Sequence, residues 1–67
     1  MIHIGKEIQH RLHEEGKSAI WLAQQLSCTR SNIYKIFAKQ SIDTDLLLRI
    51  SNILNHDFFK LYKKEIQ

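Results

Sequence analysis

Two residues, Ser27 and Cys28, separate two short runs of helical periodicity, and so short a link obliges the two helices to pack across each other. Ser18 opens the first run as a candidate cap, because its hydroxyl can accept from an orphan amide of the opening turn. Leu22, Ala23 and Leu26 then recur on one face. Thr29 is a second candidate cap and predicts a helix over 30–38. On that helix Ile33, Ile36 and Phe37 fall on the inward side. At about 100° per residue, Ser31, Tyr34, Lys35 and Ala38 turn outward, with Arg30 and Asn32 on the flanks. The outward side chains are types that bond to phosphates and base edges, at a helix end whose dipole favours anions.

Charge is distributed to match. The formal net charge is +3, yet the window from Lys17 to Gln40 holds Lys17, Arg30, Lys35 and Lys39 and no acid. Every acid lies outside it, at Glu7, Glu14, Glu15, Asp43, Asp45, Asp57 and Glu65. A charge excess alone is usually a solvated face; one that coincides with two linked helices is the electrostatic footprint of a polyanion partner.

Leu22, Ala23, Leu26, Cys28, Ile33 and Ile36 stand where the lambda-repressor-like (Cro/C1, or XRE) helix-turn-helix family keeps apolar or small residues, and residues 18–38 resemble that motif. The resemblance continues through 43–54 (DTDLLLRISNIL) and 57–61, so it covers most of the chain. It implies a compact all-α fold of five short helices and a repressor-like regulator of transcription that binds duplex DNA sequence-specifically. A monomer reads too few base pairs to be selective, so a homodimer with half-sites ~34–36 Å apart is expected.

Carried over residue by residue, Arg30, Ser31 and Lys35 match positions that reach base edges, while Thr29 and Asn32 match backbone-contacting ones. The chemistry agrees. Arg30 can fork onto guanine, Lys35 can donate to guanine O6 or N7, and Ser31 can bond either way. Tyr34 can stack on a sugar or meet a thymine methyl, or simply lie on its own helix. Lys39 and Gln40 follow the recognition helix, where the family presents basic residues and amides to a phosphate. Lys17 precedes the second helix and either touches a phosphate or is solvated.

The chain departs from the family at several points. Ala19 stands where Gln often clamps the DNA backbone, which leaves that contact to Ser18 or to backbone amides. Ile20 and Trp21 replace polar residues. Trp21 faces outward on the wheel, so either the start of the chain folds over it or it meets a partner. Ser27 replaces a common Gly, and a serine tolerates the left-handed conformation poorly, so the turn is either strained or differently shaped. Phe37 stands where a Glu is common and reads as core.

The flanking segments read as support. A first helix over 4–15 carries the stripe Ile4, Ile8, Leu12 and stops at Gly16 in a left-handed conformation. Asp43 caps a fourth helix with the core stripe Leu46, Leu47, Ile50, Ile53 and Leu54, leaving Leu48 on the far side near Ser51 and Asn52. Asp57 caps a fifth helix over 58–65, on which Phe58, Leu61 and Tyr62 close the core. Phe59 and Ile66 form a second apolar face, read either as a dimer contact or as further core closure.

Sixty-seven residues allow one domain with a marginal core. No apolar run approaches the ~20 residues that span a bilayer, and Met1-Ile2-His3 leads straight into a charged amphipathic pattern, so neither a membrane span nor a signal peptide is expected. The single Cys28 excludes an internal disulfide, reads as a small buried hydrophobe, and is consistent with a reducing cytoplasm, the expected location. His10, His13 and Glu14 share a helix face at ligand spacing, but no fourth ligand is evident and no metal is expected. No nucleophile has a base and an orienting partner, and no Gly-rich phosphate loop exists. Neither an enzyme, a cofactor nor a ligand pocket is implied. The rival reading is a protein-interaction module of the antitoxin or adaptor type, for which Ile20 and Trp21 are the suited residues.

Overall fold

Helix starts in this chain are written into four side chains. In the computed structural model, which describes residues 1–66, His3 Nδ1 accepts from Lys6 N–H (3.2 Å), Ser18 Oγ from Trp21 N–H (3.0 Å), Thr29 Oγ1 from Asn32 N–H (3.3 Å) and Asp43 Oδ1 from Leu46 N–H (2.7 Å). Each satisfies one of the amides a helix leaves orphaned in its first turn. The helices that follow are α1 (Ile4–Glu14), α2 (Ala19–Leu26), α3 (Arg30–Phe37) and α4 (Thr44–Leu54), and a short α5 (Phe59–Lys63) ends the series. The architecture is all-α, with no strand among the described residues.

Three helices end in the same way. Gly16, Ser27 and Asn55 adopt left-handed conformations at φ 68°, 55° and 49°. Behind each, the next amide reaches back to a carbonyl five residues earlier: Lys17 to Leu12 (3.0 Å), Cys28 to Ala23 (2.9 Å) and His56 to Ser51 (3.0 Å). This is the Schellman closure, which satisfies the last carbonyls and reverses the chain within two residues. Ser27 thus keeps the shape of the turn and accepts the strain, since a left-handed residue with a Cβ costs about 1–2 kcal/mol.

The stripes assemble as the periodicity predicts. Ile4, Ile8 and Leu12 of α1, Leu22, Ala23 and Leu26 of α2, Ile33, Ile36 and Phe37 of α3, and Leu47, Ile50 and Leu54 of α4 form one buried cluster with Phe58. α3 packs against both α1 and α2, and α2 also packs against α4. At the first crossing, Ile4 N–H donates to Gln40 O and Gly5 N–H to Lys39 O, both at 3.0 Å. Gly5 is buried, and a Cβ there would overlap the carbonyl oxygens of Ile36 and Phe37. The start of α1 is therefore seated directly on the end of α3.

Several expectations need correcting. Leu46 and Ile53 are half-buried rather than fully inside, because they lie at the edges of the α4 stripe. Ser51, expected outside near Leu48, is buried, and its hydroxyl finds no partner; the turn at Asn55 and His56 folds back on that side of α4. α5 covers five residues instead of 58–65. Asp57 accepts from Phe59 N–H (3.0 Å), two residues on, which makes an Asx turn rather than a helix cap. Cys28 is half-buried, since it stands in the link between α2 and α3 and not on a stripe.

Candidate nucleic-acid interface

The inward stripe of α3 fixes what its other side presents. With Ile33, Ile36 and Phe37 buried, Arg30, Ser31, Asn32, Tyr34 and Lys35 all stand exposed. Tyr34 is 54% exposed and meets Phe37 edge-on, ring centroids 6.1 Å apart at 75°. Its ring lies along its own helix, which limits where the side chain can reach. Thr29 is exposed and already accepts from Asn32 N–H, so its cap hydroxyl retains a proton to donate outward.

The flanks are anchored by backbone and open at their side chains. Lys39 and Gln40 give their carbonyls to the first turn of α1 while both residues remain exposed. Ser18 is likewise exposed and holds Trp21 N–H. Lys17 is exposed, and its Nζ stands 4.9 Å from the Trp21 ring centroid. Trp21 is half-buried against the core and carries that ammonium on its face. Beside it Ile20 is 50% exposed.

The contacts between basic side chains and carboxylates found among the described residues, His10 with Glu14 (3.1 Å) and Arg11 with Glu15 (2.6 Å), both lie on α1 and its end. Neither engages Arg30, Lys35 or Lys39. The cations beside α3 therefore keep their charge uncompensated, as a site for anions requires. No three metal-ligating side chains come together among the described residues. No helix among them is long and apolar enough to cross a membrane.

Two assignments change with the geometry. Phe59 is half-buried and packs on the core, which is the core-closure alternative, while Ile66 is 76% exposed. The seven-residue relation between them lapses because α5 ends at Lys63. Sequence reading also missed Arg49 and the groove it helps to form. A cleft of about 290 Å³ runs between α3 and α4, with Lys35 and Lys39 on one wall and Arg49 on the other. The signal was present: Arg49 adjoins Ile50 and follows Leu46 by three residues, on the border of the α4 stripe.

No protein-family model matches the chain, and neither a curated protein nor a solved structure matches it significantly.

Proposed function

We infer that this chain binds duplex DNA sequence-specifically and regulates transcription, in the manner of a repressor. The observation that carries the reading is the exposed side of α3, where Arg30, Ser31 and Lys35 share a surface bordered by unpaired cations in an acid-free window. A major groove admits one α-helix, and these side chains suit its donor and acceptor pattern. In this reading α3 is the recognition helix of a helix-turn-helix formed with α2. Arg30 forks onto guanine and Lys35 donates to a neighbouring base. Thr29, Asn32, Ser18, Lys39 and Gln40 hold phosphates on either side. The protein acts in the cytoplasm as a two-fold dimer, without a cofactor and without catalysis.

Selection from a random duplex library at physiological salt tests the reading. An inverted repeat with half-sites about one helical turn apart supports it. Absence of any enriched sequence defeats it.

The exposure of Ile20 and of Leu48, 50% and 51%, favours a second reading, in which the same fold docks a protein as an antitoxin or adaptor does. Salt separates the two. Binding through several phosphates gives a slope of about −0.9 per phosphate neutralised, whereas an apolar interface is nearly flat.

A further inference from the structure

The groove between α3 and α4 combines two chemistries that phosphate contacts on DNA do not need together. Its floor is apolar, made by Leu26, Ile36 and Leu46. Its exposed rim is cationic, made by Lys35, Lys39 and Arg49, with the polar Asn32 also in the lining. No carboxylate among the described residues stands within 4 Å of any of the three cations. A nucleic-acid backbone would satisfy the rim and make no use of the apolar floor. A ligand that satisfies both has an anionic head and an apolar body. The volume, about 290 Å³, matches the lower end of small-molecule sites, which run from ~300 Å³ upward.

We propose that this groove binds a small amphipathic organic anion, a phosphate or carboxylate on an aliphatic or aromatic body, and that its occupancy competes with DNA. The head sits among Lys35, Lys39 and Arg49, where a guanidinium can hold two of its oxygens at once and the ammonium groups add charge. The body lies on Leu26, Ile36 and Leu46. Competition follows from shared residues and rests on the DNA reading: Asn32, Lys35 and Lys39 belong to both surfaces, so a bound anion neutralises charge that DNA requires. Arg49 belongs to the groove alone. That the groove takes such a ligand does not rest on the DNA reading; only the competition does.

Hexyl phosphate, inorganic phosphate and hexanol are the probes, titrated into the full chain and followed by amide and side-chain NMR shifts. Reaction of Cys28 with a thiol reagent gives a second readout, because this single half-buried cysteine lines the groove. Hexyl phosphate is expected to bind at least about tenfold tighter than either other probe, since a methylene buried on the floor adds several-fold. Shifts should be confined to the groove, and Cys28 should be protected. Arg49→Gln should weaken hexyl phosphate by about tenfold. It should leave affinity for the selected DNA unchanged, and hexyl phosphate should displace that DNA from the variant only at about tenfold higher concentration than from the unsubstituted protein.

Equal binding of inorganic and hexyl phosphate would overturn the proposal, because the floor would then contribute nothing. So would a loss of DNA affinity in Arg49→Gln equal to that in Lys39→Ala, which would make the groove part of the DNA surface. Groove-confined hexyl phosphate binding in a protein that selects no DNA would support the site while refuting the DNA reading, so the two fail separately.

Discussion

The Gly5 amide donates to the Lys39 carbonyl across 3.0 Å, and this bond joins the first turn of α1 to the segment that follows α3. It is possible only because residue 5 has no Cβ, which would overlap the Ile36 and Phe37 carbonyls. Gly is normally the poorer helix former, by about 1 kcal/mol against Ala. Gly5→Ala should nevertheless destabilise by about 1–3 kcal/mol, since overpacking against backbone cannot be relieved by a rotamer change. Urea unfolding reads this directly, and a variant as stable as the parent would mean that α1 is not seated this closely.

Replacement of Arg30 and of Lys39 by Ala should separate base reading from phosphate holding. Arg30→Ala should cost about 1–3 kcal/mol on the selected sequence and relax preference at one base pair. Lys39→Ala should weaken all sequences alike and lower the salt slope by about 1. Affinities on the selected and scrambled duplexes decide it; the same loss on every sequence from both variants would remove Arg30 from base recognition.

Lys17 offers a contrast, because its ammonium stands over Trp21. Lys17→Ala should change the emission of this single tryptophan and lower stability by about 0.5–1 kcal/mol, the range for exposed cation–π pairs. Its effect on DNA affinity should be smaller than that of Lys39→Ala. An equal effect would show that the ammonium leaves the ring to meet a phosphate.

Ser27 holds a left-handed conformation that glycine adopts without strain. Relief of about 1–2 kcal/mol, partly offset by the larger unfolded-state freedom of glycine, predicts that Ser27→Gly stabilises by roughly 0.5–1 kcal/mol. Ser27→Val should destabilise, because a β-branched side chain suits that region least. Thermal unfolding of the pair checks both signs, and a destabilising glycine would mean that the serine hydroxyl contributes more than the backbone strain costs.

What was legible in the sequence was what repeats locally. The caps at Ser18, Thr29 and Asp43, the reversal at Gly16 and the stripes of α1 to α4 each follow from chemistry within a few residues. Less legible was whatever depends on a distant segment. His3 is not of the usual capping types, and nothing near Gly5 in sequence marks it, because its neighbours, Ile36 and Phe37, are remote. Ser51 was misplaced by a helical wheel that cannot know the chain folds back at Asn55. For the interface, the exposed side of α3 was readable by elimination once its buried residues were known. The stacking of Lys17 on Trp21 and the pairing of Arg49 with Lys35 and Lys39 across a groove were not, since both depend on how side chains settle between elements.

The bonds from Ile4 and Gly5 to Gln40 and Lys39 also set an order of events during synthesis. A ribosome delivers α1 first, but the acceptors for its opening amides arrive only with the residues after α3. Until then the first helix can fray at its start, with nothing but water to meet those groups. Its docking is thus a late step, and it closes only when α3 and the residues after it have themselves been made and folded.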